Sequence, residues 1–145
     1  MPKIKVLHIS TPLSWRGGEQ QLAYLAENAK DHEAFLVCPE NSELSKKINI
    51  DNNHVFLFQK RKVLARVTEI EKLLKAHNFD FIHTHDAKAH SIALMASIFS
   101  SKRVKLIVHR RVDFRLKTNP LKSWKYRHSL VAKVISVSKA IDETV

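Results

Sequence analysis

Two short stretches of the sequence carry side chains suited to ligand binding or catalysis: HTHD at residues 83–86 and HRR at residues 109–111. His109, Arg110 and Arg111 fall at the end of an apolar run, where charged groups cost free energy unless they face solvent or an anion. Arginine binds phosphate and carboxylate groups through paired hydrogen bonds. We therefore interpret these three residues as facing an anionic ligand, with solvated charges at a strand edge as the alternative.

The HTHD stretch permits a metal site, a structural role or a substrate contact. Successive strand residues point to opposite faces, so only His83 and His85 share a face. Together with Asp86 they would suit zinc, but no further ligand has a recognisable spacing, and we expect no metal site. The structural interpretation is that His83 hydrogen-bonds at the sheet edge and Asp86 caps a helix beginning at Ala87. The functional interpretation is that His85 or Asp86 lines a crevice and contacts substrate hydroxyls.

The only two glycines of the chain, Gly17 and Gly18, stand side by side. At the start of a helix, such a pair lets the backbone approach a ligand and present N–H groups to an anion. The alternative is a tight strand-to-helix turn without a ligand. The loop lacks the pattern GxGxxG, which disfavours a nicotinamide or flavin dinucleotide, and no Gly-Lys-Ser/Thr follows to make a P-loop.

The elements that must position these residues alternate regularly. Short apolar runs predict strands, and longer runs with helical spacing predict helices. Strands are predicted at 3–10, 34–38, 54–59, 79–84, 104–112 and 134–137, and helices at 18–30, 43–48, 63–77, 87–100 and 120–132. This order predicts a doubly wound, Rossmann-like α/β fold with a parallel sheet covered on both faces. Ligands bind such sheets at the carboxyl ends of the strands, where the glycine pair, HTHD, HRR and the serines at 136 and 138 all fall.

Two of the predicted helices have apolar faces clear enough to name. The first is expected to bury its residues at helical spacing: Leu22, Leu25, Ala26 and Ala29. The third is expected to bury one stripe along its length: Val63, Val67, Ile70, Leu73 and Leu74. Both patterns indicate helices packed on a sheet with one face toward solvent.

Length, cysteine content and hydropathy indicate one Rossmann-like domain spanning residues 1–145. Cys38 is the only cysteine, so no internal disulfide forms and a reducing, cytoplasmic location is expected. No apolar stretch approaches the ~20 residues of a membrane span, so the protein is expected to be soluble or peripheral. Ser138 is expected to cap a helix that the sequence interrupts after about one and a half turns. We therefore expect that a longer protein has been cut here, with a frayed C-terminus as the alternative.

The net charge of +11 is concentrated in one segment, residues 102–133, which holds eleven Lys or Arg residues and one acid. Its basic and aromatic side chains suit an anionic membrane surface at the inner face of the cytoplasmic membrane. The residues expected to make this contact are Arg115, Lys117, Lys122, Trp124, Lys125 and Arg127. A solvated helix with a buried tryptophan is the alternative.

Four segments of the chain together resemble one known family. They are KVLHIS followed by GGEQQL, DFIHTHD with an alanine-rich helix, LIVHRRVDF, and VISVSKAI. In this order they resemble the N-terminal, acceptor-side domain of glycosyltransferases of family 4, which have the GT-B fold. The resemblance covers essentially the whole chain. One departure is that Glu19 follows Gly18 directly, where the family usually has an alanine between them.

The resemblance implies a retaining transfer of a sugar from a nucleotide-sugar donor to an acceptor hydroxyl, with no required metal or cofactor. Gly17 and Gly18 would approach the donor diphosphate, and His109 would sit beside the reacting sugar as the catalytic residue. The acceptor side of the crevice would be shaped by His85, Asp86, Arg110, Arg111 and Glu19. Most donor contacts in this family come from a second domain with a Glu-x7-Glu motif, which this sequence lacks. This domain alone is therefore expected to be inactive.

The basic, aromatic-bearing segment suits a glycan or lipid-linked acceptor in cell-envelope polysaccharide synthesis. Two other functions compete with this interpretation. One is a non-enzymatic module that binds nucleic acid through its basic segment, although only Trp124 and Tyr126 offer base-stacking rings there. We therefore expect no nucleic acid partner. The other is a different two-domain enzyme acting on sugar nucleotides, such as an epimerase.

Overall fold

The computed structural model of the chain describes residues 3–110 and 128–136. Within them six strands alternate with four helices. The strands are β1 (Ile4–Ile9), β2 (His32–Pro39), β3 (Val55–Phe58), β4 (Phe81–Thr84), β5 (Lys105–Arg110) and β6 (Val131–Ser136). The helices are α1 (Gly17–Glu27), α2 (Glu43–Lys47), α3 (Val63–Ala76) and α4 (Ala87–Phe99), with a short 3-10 helix at Asn52–His54.

All six strands belong to one parallel sheet with the order β3-β2-β1-β4-β5-β6. The chain runs outward from β1 to β3 and then returns to place β4 on the other side of β1. The strand order therefore reverses between β1 and β4, which is where open α/β sheets bind their ligands. The predicted doubly wound, Rossmann-like fold class is confirmed.

Helices cover both faces of this sheet, because its strands are apolar on both sides. On one face α3 and α4 pack beside each other over a large core that includes Leu7, Ile9 and Ile82. On the other face α1 and α2 pack over a smaller core formed by Leu22, Ala23, Leu36, Cys38 and Leu44. Successive residues of β1 point to opposite faces of the sheet, so Leu7 and Ile9 enter the large core and His8 points to the face of α1 and α2.

Local signals explain where the helices begin. The side chain of Ser42 accepts a hydrogen bond from the Ser45 N–H and caps α2. The side chain of Asp86 accepts one from the Ala89 N–H and caps α4, as the structural interpretation of Asp86 predicted. Neither capped helix could satisfy its first N–H groups internally, so these two side chains set the helix starts.

Several predicted boundaries and burial patterns were wrong. Leu25 is 43% exposed, and Ala23 takes its place in the core because α1 turns a slightly different stripe toward the sheet. Val63 is likewise 43% exposed, since it lies in the first turn of α3 beyond the core. The final strand begins at Val131, although a helix was predicted to continue to residue 132. The Val131 N–H donates a hydrogen bond to the His128 carbonyl in a turn. The residues that follow pair with β5, and this pairing outweighs their local preference for a helix.

Among the described residues, none of the helices has both the length and the hydrophobicity required to span a membrane.

Candidate functional site

The carboxyl ends of β1 and β4 are tied together at the point where the strand order reverses. The His85 N–H donates to the Ile9 carbonyl across 3.1 Å, which extends the sheet pairing by one residue. Asp86 then receives two hydrogen bonds from Thr11, from the backbone N–H at 2.9 Å and from Oγ1 at 2.6 Å. Its carboxylate thereby joins the loop after β1 to the start of α4 and restrains that loop at Thr11.

Four histidines gather on the face of the sheet that carries α1 and α2, and we call His8, His83, His85 and His109 the histidine cluster. His8 stands between Leu7 and Ile9, which both point into the opposite core, and His8 pairs directly with His83 of β4. Ring centroids are 5.2 Å apart for His8 and His83, and 4.1 Å apart for His83 and His85. The cluster therefore crosses β1, β4 and β5 at the strand ends.

His8 and His85 are the most deeply buried members of the histidine cluster. Nδ1 of His8 lies 3.0 Å from Nε2 of His85, and only 2% of His8 is exposed. The pKa of His8 is lowered from 6.5 to about 3, mainly by burial and also by the nearby His83 and His32. Burial disfavours the charged form of an imidazole, so His8 is neutral at physiological pH.

His109 lies at the solvent side of the histidine cluster. It is the penultimate residue of β5 and is only partly buried. Its ring lies nearly parallel to that of His83, with centroids 5.9 Å apart, and 5.8 Å from that of His85. The strand and the two neighbouring rings therefore set the direction of this imidazole, which remains partly exposed.

The glycine pair begins α1, one residue earlier than predicted. A Cβ at Gly17 would meet nothing within 4 Å, so the packing of the described residues does not require glycine there. Gly17 also borders a surface concavity of about 530 Å³. The open space is what a close approach by a ligand requires. Glu19 is buried, and its carboxylate accepts a hydrogen bond from the Arg16 N–H at 2.8 Å, which satisfies a group at the helix start.

The structure thus brings together some of the residues singled out from the sequence. His85, Asp86 and His109 converge on one edge of the sheet, while Gly17, Gly18 and Glu19 follow the loop after β1. Arg110 ends β5. Arg111 and the expected membrane-contact residues (Arg115, Lys117, Lys122, Trp124, Lys125 and Arg127) lie outside the described residues, as does Ser138.

Sequence reasoning missed His8. It lies in the middle of an apolar run, and no spacing in the sequence relates it to His83, 75 positions later. The only signal in the sequence was a polar residue within an otherwise apolar strand, because a buried polar side chain normally has a hydrogen-bond partner. The structure supplies His8 as a third buried imidazole beside His83 and His85, with one ligand nitrogen from each within 4.8 Å of the others.

Comparison with known proteins gives this site a context. A model of the family described as Glycosyltransferase Family 4 matches residues 15–145, which is most of the chain. None of the curated proteins compared with the chain matches it.

Solved structures of other proteins share the architecture of this chain. The chain is similar to Anabaena Alr3699/HepE in complex with UDP-glucose, with a TM-score of 0.75 and 18% identity over 97% of this chain and 39% of that chain. It is also similar to the apo form of the lipopolysaccharide outer core galactosyltransferase WaaB, with a TM-score of 0.66 and 14% identity over 97% and 41% of the two chains. The chain therefore spans about two fifths of these structures and has the fold of the N-terminal half of a GT-B enzyme.

Fold alone does not separate the candidate enzyme classes. A UDP-N-acetylglucosamine 2-epimerase matches with a TM-score of 0.66, equal to that of WaaB, although the identity is 8% over 98% of this chain and 44% of that chain. At such identities only the architecture is shared. The family match over residues 15–145 is what distinguishes the two classes.

Proposed function

Because the chain belongs to glycosyltransferase family 4, we propose that it is the N-terminal, acceptor-side domain of a retaining glycosyltransferase. The enzyme would move a sugar from a nucleotide-sugar donor to a glycan or glycolipid acceptor in cell-envelope polysaccharide synthesis. UDP-glucose in the HepE complex and the lipopolysaccharide galactosyltransferase WaaB support a donor and an acceptor of these kinds. A second domain outside this chain would hold most of the donor.

The observation that carries this proposal is the position of His109. It lies beside the point where the strand order reverses, held against His83 and His85 and still partly exposed. A side chain that touches the reacting sugar needs a fixed direction and access from the crevice. The ring neighbours of His109 restrict its direction, its side chain is only partly buried, and an imidazole can hydrogen-bond to a sugar hydroxyl.

Other residues of the domain would bind the two substrates. The first turn of α1, with its open space at Gly17, would receive the donor diphosphate, because unpaired N–H groups and the helix dipole both favour an anion. On the acceptor side Asp86, His85, Glu19, Arg110 and Arg111 would shape the crevice. Asp86 would do so mainly by holding the loop after β1 in place, since Thr11 and Ala89 already engage its oxygens.

We extend the proposal to the basic segment. Arg115, Lys117, Lys122, Trp124, Lys125 and Arg127 would bring the domain to the anionic inner face of the cytoplasmic membrane, where a lipid-linked acceptor is presented. Liposome sedimentation tests this: binding to vesicles with anionic lipid should weaken as salt rises, because surface charges are screened. Absent or salt-independent binding would remove the membrane from the proposal.

The experiment that tests the catalytic proposal uses the full-length protein with a nucleotide-sugar donor and a membrane-derived acceptor. His109→Ala should cut turnover at least 100-fold, the usual scale for a lost contact to reacting atoms. His54→Ala is the matched control, because His54 precedes β3 at the opposite edge of the sheet, and it should leave turnover unchanged. Circular dichroism establishes that both variants fold.

Two results would contradict the proposal. Unchanged turnover in His109→Ala would exclude His109 from the mechanism. An epimerised nucleotide sugar, formed without any sugar on the acceptor, would assign the protein to the other enzyme class. The 145-residue domain alone should show no transfer, because a second domain would make most of the contacts to the donor.

A further inference from the structure

We propose that His8, His83 and His85 form a binding site for a divalent transition-metal ion of the zinc class. The site lies at the carboxyl ends of β1 and β4 and does not depend on the proposed transfer reaction. Imidazole nitrogen is the ligand that Zn²⁺, Co²⁺, Ni²⁺ and Cu²⁺ share, so the chemistry selects this group of ions over Mg²⁺ or Ca²⁺.

The ligand atoms are already close to a coordination geometry. One nitrogen from each ring lies within 4.8 Å of the other two, and Nδ1 of His8 lies 3.0 Å from Nε2 of His85. Zinc–nitrogen bonds of about 2.0–2.1 Å at tetrahedral angles place two ligand nitrogens about 3.4 Å apart. Since no two of the three nitrogens are more than 4.8 Å apart, side-chain rotations that shorten each separation by about 1.4 Å or less would bring all three to one ion.

The distances between rings support the same arrangement. Two imidazoles on one tetrahedral zinc have ring centroids about 5.2 Å apart, because each centroid lies about 3.2 Å from the metal. The observed separations are 5.2 Å for His8 and His83, and 5.3 Å for His8 and His85. His83 and His85 are closer, at 4.1 Å, so these two rings must open by about 1 Å on metal binding.

The backbone holds this set of ligands in place. His8 and His83 are directly paired residues of neighbouring strands, and His85 follows two residues after His83 on the same face. All three side chains are buried. Ligands on paired strands lose little conformational freedom when a metal binds, which favours affinity.

The rings nearest the three ligands also bear on the site. Metal binding would replace the hydrogen bond between Nδ1 of His8 and Nε2 of His85 by one bond from each nitrogen to the ion. The ring centroid of His109 lies 5.8 Å from that of His85 and 5.9 Å from that of His83, and His109 is the more exposed residue. A water molecule on the side of His109 would complete a four-coordinate site, leaving an exchangeable position.

The test uses full-length protein freed of any histidine tag and stripped with a chelator. Titration with ZnCl₂ followed by calorimetry should show one ion per chain with a micromolar or lower dissociation constant. Co²⁺ should give the intense visible absorption of a tetrahedral site. His8→Gln and His85→Gln should each weaken binding at least tenfold, whereas a His54→Ala/His77→Ala double variant, which removes two histidines outside the cluster, should bind as the wild type does.

A second measurement on the wild type covers the case in which the glutamine variants fail to fold. X-ray absorption of the zinc-loaded protein should show three imidazole nitrogens at about 2.0 Å. The absence of saturable binding, retention of wild-type affinity in both folded glutamine variants, or fewer than three imidazoles on the ion would each overturn the proposal. The three rings would then form a hydrogen-bonded cluster without a metal.

Discussion

The carboxylate of Asp86 accepts hydrogen bonds from both the backbone N–H and the hydroxyl of Thr11, at 2.9 Å and 2.6 Å. The two residues are 75 positions apart, and their contact joins the loop after β1 to the first turn of α4. The same carboxylate also caps α4 through the Ala89 N–H at 2.9 Å. One partly buried charge therefore holds both sides of the crevice at the reversal of strand order.

Removing this carboxylate should weaken the domain. Asp86→Ala loses three charge-assisted hydrogen bonds, including a helix cap, and should lower the free energy of unfolding by about 2–4 kcal/mol. Asp86→Asn keeps one oxygen and should lose less. Urea unfolding measures both. Asp51→Ala is the control, since Asp51 caps only the exposed 3-10 helix and should cost about 1 kcal/mol or less. Equal losses in Asp86→Ala and Asp51→Ala would contradict this account.

A second buried hydrogen bond connects α4 to Val104, the residue before β5. The Ser97 hydroxyl donates to the Val104 carbonyl at 2.6 Å, and both residues are buried. Ser97→Ala leaves that carbonyl without its side-chain donor and should cost about 1–3 kcal/mol in urea unfolding. Ser91→Ala, on a more exposed part of the same helix, should stay within about 0.5 kcal/mol of the wild type. A negligible loss in Ser97→Ala would show that solvent replaces the donor.

With metal ions removed by a chelator, the stability of the domain should fall on acidification because of His8. The pKa of His8 is about 3 in the folded chain and 6.5 in the unfolded chain, so only the unfolded chain takes up this proton between those values. The stability contributed by neutral His8 is complete above pH 6.5 and is lost progressively down to pH 3. From pH 7 to pH 5 the loss from His8 should be about 2 kcal/mol.

The control for this pH dependence is His8→Gln, which cannot titrate. Its free energy of unfolding, measured in urea at each pH, should fall less than that of the wild type over the same interval. His83, His85 and His32 face His8 and remain in both proteins, so the difference between the two curves isolates His8. Parallel curves would show that His8 does not carry the effect.

The thiol of Cys38 should be unreactive in the folded chain. Cys38 is fully buried in the smaller core with Leu36 and Leu44, and burial raises its pKa to about 11. Since only the thiolate reacts, a chromogenic thiol reagent at pH 8 should label the native chain far more slowly than the chain in urea. Ser101→Cys, at an exposed position, should be labelled immediately with one equivalent. Rapid labelling of native wild-type protein would indicate that the core opens easily.

Much of the fold was predictable because its signals are local. The alternation of apolar runs with helical spacings located all six strands and the four described helices, and the capping role of Asp86 followed from its place before Ala87. Boundaries depended also on contacts between distant parts of the chain. At residues 128–132 the choice between helix and strand depended on pairing with β5, which lies more than 20 residues earlier in the sequence.

The sequence by itself determined that polar residues follow the strands and that those ends share one edge, because a parallel α/β pattern leaves no other arrangement. Only the tertiary structure decided which of those ends are neighbours. The strand order β3-β2-β1-β4-β5-β6 places β4 against β1 and pairs His8 with His83. No periodicity encodes that pairing, because it depends on how the crossovers pack and on the register that buries the most apolar surface. The histidine cluster is therefore a product of tertiary structure, assembled from residues that are unremarkable in their own segments.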